Sequence, residues 1–212
     1  AVGYAASNST MIEGDDGIII IDTTESTRAA SNILAEFRKI SSKPVRAIIY
    51  THGHRDHISG ASVFAEGGSP KIFARSNLAI ELAEDDGYPY PTKLMVERTK
   101  RQFGIGLEYG TERINLGLGP GDRPVEGLGQ GFLKPTDWIE EDRLDVTICG
   151  VPLSLIAAPG ETEDHLVVWR ERDRVLFSGD NYYKSFPKLY AIRGTKYRDF
   201  NVWDDTLDTL IG

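Results

Sequence analysis

The chain has a single cysteine, no long apolar run and a deficit of positive charge. With Cys149 alone, no disulfide can form within the chain. No apolar run approaches the roughly 20 residues that cross a bilayer, so we expect no membrane partner. Lysine and arginine number 24 against 32 aspartate and glutamate residues, a formal net charge of −8, which argues against a nucleic-acid partner. The chain begins Ala1-Val2, without a methionine or a charged leader, so its cellular compartment stays undetermined.

Length and composition predict one domain. A chain of 212 residues can bury a sizeable core, and 40% hydrophobic with 26% charged residues is ordinary for a soluble globular protein. Cys149 ends a strand-like segment, residues 145–149, and we expect it to be a small core residue rather than a nucleophile. We therefore expect a single domain over residues 1–212.

An apolar pattern near the amino terminus predicts a β-α-β unit. Residues 17–22 contain four consecutive isoleucines closed by Asp22, which predicts a buried strand. Thr24 or Ser26 can cap the helix that follows, and residues 46–50 return to a strand. The apolar stripe predicted for this helix comprises Ala30, Ile33, Leu34, Phe37 and Ile40. Parallel strands joined by a helix predict a layered α/β sheet with its chemistry at the carboxyl ends of the strands.

Later segments predict further elements on either side of a long loop. We expect helices at residues 60–64, 77–84, 93–103 and 202–211, and strands at residues 71–74, 144–149, 152–158, 165–169 and 175–178. The polar residues 170–174 are typical of a hairpin turn between the last two strands. Residues 104–131 are rich in glycine and proline, which indicates a functional loop or a flexible segment.

Three of the four histidines lie within residues 52–57, directly after the predicted strand 46–50. They are His52, His54 and His57, and Asp56 stands among them. Imidazole and carboxylate groups are preferred ligands of zinc and similar metals. A turn that holds four such groups can reach two metal ions, an arrangement that makes hydroxide from water near neutral pH. The cluster therefore predicts a metal site.

Two later segments carry carboxylates that can complete this site. Asp180 follows the predicted strand 175–178, and each oxygen of its carboxylate can bind one metal ion. The alternative is that Asp180 is only a turn residue before Asn181. Glu161 and Glu163 follow a Pro-Gly turn after the predicted strand 152–158; otherwise they belong to a solvated loop.

The segment His52-x-His54-x-Asp56-His57 resembles the signature of the metallo-β-lactamase superfamily, and the strand that ends at Asp22 fits it as well. The closer resemblance is to the alkylsulfatase branch. It is carried by residues 7–14, 50–52, 135–136, 181–183, 186–194 and 198–199. This resemblance implies an α/β fold, the αββα sandwich of the superfamily, with residues 1–212 as a catalytic domain.

The resemblance also implies two zinc ions as cofactors. The implied ligands are His52 and His54 for one zinc, and Asp56 and His57 for the other. Most of the superfamily offers a histidine after the Pro-Gly turn, where this chain has Glu161, as the alkylsulfatase branch does. Glu163 is the alternative ligand. Asp180 matches the bridging carboxylate, and Asp56 and Asp180 are the expected catalytic residues.

A basic stretch near the carboxyl terminus resembles the anion-binding segment of that branch. Arg193 matches an arginine that holds the sulfate, and Lys188 stands where the branch has an asparagine. An arginine fork suits an oxyanion. The alternative for Arg193 is a structural salt bridge with Asp199 or another nearby acid. Tyr190 is an expected substrate-binding residue, and further aromatic side chains that can flank an alkyl or aryl tail are Tyr182, Tyr183 and Phe186. The alternative is that these aromatic residues are ordinary core and hairpin residues.

One feature departs from the family pattern. The superfamily takes a last zinc ligand from a histidine well after the bridging carboxylate, but no histidine follows His165, which we expect to be structural. We expect a chain that lacks its carboxyl-terminal portion, completed by a companion chain or a homo-oligomer; otherwise the second metal is weakly held.

The resemblance, together with these residues, implies a binuclear zinc hydrolase that acts on a small anionic substrate, a sulfate ester of an alkyl or related alcohol. The alternatives are a hydrolase of the same fold for thioesters, lactones or β-lactams, and a non-catalytic metal-binding module.

Overall fold

The computed structural model describes residue 1 and residues 3–78, 92–114, 126–183, 187–191, 194 and 197–211. In chain order the strands are β1 (Thr10–Glu13), β2 (Ile18–Ile21), β3 (Val45–Ile49), β4 (Lys71–Arg75), β5 (Asp137–Ile139), β6 (Arg143–Ile148), β7 (Val151–Ala157), β8 (Leu166–Arg170) and β9 (Val175–Phe177). The α-helices are α1 (Thr27–Arg38), α2 (Arg55–Ile58), α3 (Ala61–Phe64), α4 (Thr92–Gln102) and α5 (Phe200–Ile211).

The strands form two sheets. The first has the order β1-β2-β3-β4-β5, with β1 antiparallel to β2 and the remaining neighbours parallel. The second is an antiparallel meander, β6-β7-β8-β9. Since β2, β3 and β4 run parallel, their carboxyl ends meet at one edge of the first sheet, which is where such sheets place functional residues.

The isoleucines of β2 show how the layers are built. Successive side chains of a strand point to opposite faces. Ile19 and Ile21 pack into the core between the two sheets, together with Leu155 of β7. Ile18 and Ile20 pack into a second core against α1, which contributes residues such as Ile33. A strand buried on both faces is typical of the inner layer of a sandwich, and the predicted layered α/β architecture is confirmed.

Helix α1 begins where the sequence indicates but ends earlier. Ser26 is its N-cap, and the Ser26 hydroxyl accepts the backbone N–H of Ala29 at 3.1 Å. Ala30, Ile33 and Phe37 are buried as predicted, and Leu34 is partly buried against the same core. The prediction for Ile40 was wrong: α1 ends at Arg38, and Ile40 is 72% exposed. Ile40 continues the helical spacing of the apolar residues, but the helix has already ended before it.

Other predicted elements differ in their bounds. Strand β1 was not predicted, because its four residues are too short to show a clear alternation. Asn77 lies in a turn, and residues 79–84 of the helix predicted there lie outside the described residues. The described parts of residues 104–131 contain neither helix nor strand, as predicted for a loop. No helix in the described part of the chain is both long and apolar enough to cross a membrane.

Cys149 is not in a strand. It and Gly150 connect β6 to β7, and both have positive φ angles, 51° and 76°. Two central residues with positive φ are typical of the tight turn that joins antiparallel strands. The Cys149 side chain still packs against the core between the sheets, where burial raises the pKa of its thiol.

Candidate metal centre

The histidine cluster lies at the carboxyl end of β3. Strand β3 ends at Ile49, and the chain passes through His52 and His54 into the single turn of α2. His52 is fully buried, and His54 and His57 are almost fully buried. Three imidazoles held away from water next to a parallel-sheet edge are poorly explained by packing alone, since buried polar groups need partners.

The imidazole rings crowd around His52. Its Nε2 lies 2.8 Å from His54 Nδ1, and its ring centroid lies 4.2 Å from that of His57. On another side, His165 stacks on His52 with centroids 4.8 Å apart. His165 Nε2 accepts the backbone N–H of Asp180 at 3.2 Å. His165 thus contacts the loop that carries Asp180.

The second sheet supplies two carboxylates to the cluster. Glu161 follows β7 and is buried, and Asp180 follows β9 and is partly exposed. Two groups of side chains have ligand atoms within 4.8 Å of one another: His52, His57 and Asp180, and His54, Glu161 and Asp180. Asp180 belongs to both groups, as a carboxylate that bridges two ions would.

Asp56 and Glu163 occupy different positions relative to these groups. The Asp56 carboxylate lies at the edge of the cluster, with Oδ2 at 3.7 Å from His57 Nε2, and its side chain is 32% exposed. Glu163 is exposed and belongs to neither group of described residues. The structure therefore brings Glu161, and not Glu163, to the histidines.

Asp22 is a member of the site that we did not single out from the sequence as functional. Its Oδ1 accepts the Thr51 N–H and its Oδ2 accepts the Thr51 hydroxyl, both at 2.8 Å. Oδ2 also lies 2.7 Å from His57 Nδ1. A carboxylate on one imidazole nitrogen fixes the tautomer and leaves the other nitrogen for a metal. The sequence did carry one signal for Asp22, since it is an acidic residue directly after an apolar strand that is buried on both faces.

The loop that carries Glu161 is held from several sides. Asn181 Oδ1 accepts the Glu161 N–H at 2.9 Å, and the Asn181 side-chain amide donates to the Ala158 carbonyl. From α5, Trp203 Nε1 donates to the Asn181 carbonyl at 3.1 Å, and the Thr206 hydroxyl donates to the carbonyl of Pro159 at 2.7 Å. Helix α5 thereby ties the Glu161 and Asp180 loops together.

The electrostatics of the cluster suit a bound cation. Burial lowers the pKa of His52 well below its usual value, so this imidazole is neutral. Burial also lowers the pKa of His57, but the carboxylates of Asp180 and Asp22 outweigh it and the pKa is raised well above its usual value. Burial raises the pKa of Asp180, yet nearby His57 holds it well below the usual range. Burial lowers the pKa of His165 to about 3.

The donor set fits zinc. The buried His57 Nε2 makes no hydrogen bond of standard geometry to any described residue and lies 3.3 Å from Asp180 Oδ1. It therefore faces carboxylates across a gap that a cation would fill. Nitrogen and carboxylate donors in tight groups are typical of zinc sites.

The residues predicted to bind substrate are placed only in part. Lys188 and Tyr190 are exposed, on the described residues 187–191, whereas Arg193 and Phe186 lie outside the described residues. A cavity of about 220 Å³ opens beside His57 and Asp180, and Tyr182 is among the residues that line it.

Comparisons with known proteins agree with this geometry. The family model of the metallo-beta-lactamase superfamily matches residues 2–211. A linear primary-alkylsulfatase from a Pseudomonas strain is 38% identical over 207 residues, which cover 94% of this chain and 38% of that protein. The alkyl/aryl-sulfatase BDS1 of Saccharomyces cerevisiae is 30% identical, over 97% of this chain and 32% of its own.

Solved structures give the same result. The stereoselective inverting sec-alkylsulfatase Pisa1 from Pseudomonas sp. superposes with a TM-score of 0.84 at 25% identity, over 99% of this chain and 34% of that one. The metallo-beta-lactamase IND-7 superposes with a TM-score of 0.60 at 18% identity, over 97% of this chain and 72% of that one, which shows the shared fold. The chain spans about a third of the alkylsulfatases that it matches.

Proposed function

Because the chain belongs to the metallo-beta-lactamase superfamily, we propose that it carries the metal site of a hydrolase for sulfate esters of alkyl or related alcohols. The observation that carries the proposal is the pair of ligand groups that share Asp180. The substrate class comes from the relatives, which are named as linear primary-alkylsulfatase and alkyl/aryl-sulfatase.

We propose two zinc ions at this site. His52, His54 and Glu161 would hold one, Asp56 and His57 would hold the other, and Asp180 would bridge them. The geometry also puts His52 within reach of His57 and Asp180, so the division of ligands between the two ions belongs to the proposal. Zinc bound there would supply Lewis acidity and a nucleophilic water near neutral pH.

The chain's own residues prepare the site for that chemistry. Asp22 holds the His57 ring through Nδ1, which keeps Nε2 directed at the carboxylates. Asp180 places negative charge between the two ligand groups. Asp56 is more exposed than the histidines and can accept a proton at the open side of the site.

We propose that Lys188, Arg193 and Tyr190 bind the substrate. Positive side chains neutralise the sulfate group as it leaves, and such charge stabilisation is a large part of catalysis in general. Tyr190 is half exposed and can contact the tail of the alcohol.

The proposal includes one catalytic domain over residues 1–212 and a companion chain or second copy that completes the site. No histidine follows His165 in this sequence. A ligand for the second zinc would therefore come from outside these residues.

The test combines zinc content with turnover of a long-chain alkyl sulfate. We expect the zinc-loaded protein to release sulfate, and Asp180→Asn to abolish release because an amide bridges two cations poorly. Asp173→Asn is the matched control, since Asp173 pairs with Arg170 at the turn between β8 and β9. Arg193→Ala should weaken turnover while zinc content stays unchanged.

Three outcomes would contradict the proposal. They are zinc-loaded protein that shows no sulfatase activity either alone or with the polypeptide that completes the site, Arg193→Ala with full activity, and faster turnover of a thioester, lactone or β-lactam. Sulfate release that also requires a second polypeptide would identify the companion chain.

A further inference from the structure

Arg198 is an arginine buried next to the candidate metal centre. Its side chain is 7% exposed, and its Nη2 lies 2.5 Å from Glu161 Oε1, which is itself buried. Taking a guanidinium out of water is costly unless it is paired and hydrogen-bonded. Arg198 meets that requirement with a second contact in another direction, from Nη1 to the Lys188 carbonyl at 2.7 Å.

The two contacts join parts of the molecule that have different proposed roles. Glu161 belongs to the ligand group with His54 and Asp180. Lys188 belongs to residues 187–191, which also carry Tyr190 and which we propose bind the sulfate ester.

The backbone of this second part is held tightly. The Lys188 N–H donates to the Tyr183 hydroxyl at 3.0 Å, so both backbone polar groups of Lys188 are engaged. In addition, the Arg198 N–H donates to the Leu189 carbonyl at 2.9 Å. Arg198 thus holds Lys188 through its side chain and Leu189 through its backbone.

We propose that Arg198 is a positioning residue that couples metal binding to the order of residues 187–191. The inference rests on the metal site of the proposed function. Arg198 holds one oxygen of Glu161, which orients the carboxylate before the metal arrives. A metal that in turn fixes Glu161 fixes Arg198, and the guanidinium transmits that restraint to the Lys188 carbonyl.

Coupling of this kind is reciprocal. If metal binding stabilises the ordered form of residues 187–191, loss of that order must lower the affinity for the metal by the same factor. Groups that hydrogen-bond a metal ligand matter for affinity, and their removal typically costs about 10–100-fold. Only a forked donor can serve Glu161 and Lys188 together, since lysine offers a single ammonium group on a flexible stem.

The variant that tests the inference is Arg198→Lys. It keeps the positive charge beside Glu161, so the buried carboxylate stays balanced, but it cannot bridge to the Lys188 carbonyl. Arg198→Gln removes the charge as well. Arg38→Gln is the matched control: Arg38 pairs with Glu66 and donates to two backbone carbonyls at the far end of α1.

Two measurements on the whole chain test whether Arg198 couples zinc binding to the order of residues 187–191. Zinc affinity is measured by competition with a chromophoric chelator, and cobalt(II) absorption reports the ligand geometry. Hydrogen exchange of the Lys188 amide is measured with and without zinc. We expect zinc to slow this exchange in the wild type and in Arg38→Gln, but not in Arg198→Lys, with zinc affinity lowered about 10-fold or more and an altered cobalt spectrum.

The inference would be overturned if Arg198→Lys kept both the wild-type zinc affinity and the zinc-dependent protection of Lys188. A merely structural ion pair predicts that result, because the lysine still balances Glu161. Wild-type protein that bound no zinc would refute the inference and the proposed metal site together. Zinc binding with normal coupling, but no sulfatase turnover even with the polypeptide that completes the site, would refute the proposed function and leave the inference standing.

Discussion

Replacement of Asp22 by asparagine tests whether a carboxylate behind His57 prepares that ring for a metal. Asp22 has a φ of 58°, in the left-handed region, where asparagine is also readily accommodated. The change therefore adds no backbone strain, and the asparagine side chain has nearly the same size and shape as the aspartate. The asparagine oxygen has to stay on the Thr51 N–H, which only donates. The new NH₂ group then takes the place of Oδ2, opposite the Thr51 hydroxyl and His57 Nδ1.

The consequence is a change of tautomer in His57. The Thr51 hydroxyl can rotate and accept a hydrogen bond, but His57 Nδ1 can accept only if the ring proton moves to Nε2. That proton would block the nitrogen that faces Asp180 at 3.3 Å. We expect zinc affinity to fall about 10–100-fold, which corresponds to about 1.4–2.8 kcal/mol. Loss of the charge-assisted bond should also lower the free energy of unfolding by about 1.5–3 kcal/mol.

The assay is zinc competition against a chelator. The tautomer of the neutral His57 ring is read from ¹⁵N chemical shifts of the metal-free protein at a pH above the raised pKa of that ring. Asp137→Asn is the control. Asp137, on β5, pairs with the exposed Lys71 of β4, and its replacement should leave both readouts unchanged. Zinc affinity in Asp22→Asn equal to the wild type would refute the reasoning. So would a His57 ring that keeps its proton on Nδ1.

Three further predictions concern the stability of the site. Chelation should lower the thermal unfolding midpoint, which differential scanning fluorimetry measures. Zinc at 100 times its Kd should raise the free energy of unfolding by about 2.7 kcal/mol and so restore the midpoint. Gly160→Ala should destabilise the fold by about 1–3 kcal/mol in urea unfolding, because the added Cβ would lie 2.8 Å from Asn181 Oδ1 and 2.9 Å from the Trp203 ring. Thr206→Val removes the hydroxyl that donates to the Pro159 carbonyl and should cost about 1 kcal/mol by the same method.

Matched variants serve as controls for the two substitutions. Gly68→Ala should cost less than Gly160→Ala, because its added Cβ meets the exposed turn at the Ala65 carbonyl, 3.1 Å away. Thr209→Val removes an exposed hydroxyl bond to the Asp205 carbonyl in the same helix and should be nearly neutral. Equal losses within either pair would contradict the packing and hydrogen-bond arguments, and a midpoint unaffected by chelation would contradict the metal site.

The architecture and the family could be predicted because the relevant signals are local. Four isoleucines in a row predict a strand buried on both faces, and Ile18 to Ile21 fill two cores. The histidine motif is contiguous, so its spacing alone predicts a metal site and the superfamily. The identity of the zinc ligands stays a prediction, because two groups of side chains share Asp180 and the division of ligands depends on where each ion binds.

The supporting residues of the site could not be predicted, because their partners are distant in sequence. Asp22 meets His57 only when β2 and β3 pair side by side. Arg198 meets Glu161 only after the chain has returned across the second sheet. Ile40 failed for another reason: helical periodicity carries no information on where a helix ends, and α1 stops two residues before it.

The ligand groups draw on both sheets, and this has a mechanical consequence. His52, His54 and His57 belong to the edge of the first sheet, while Glu161 and Asp180 belong to the second. An ion held between them would act as a cross-link that resists sliding of one sheet over the other. Ties between distant segments also restrict the unfolded chain, and a closed loop of about 100 residues is worth about 4.7 kcal/mol in the chain-entropy treatment of disulfides. Metal occupancy would then report that the two halves of the sandwich have docked in register.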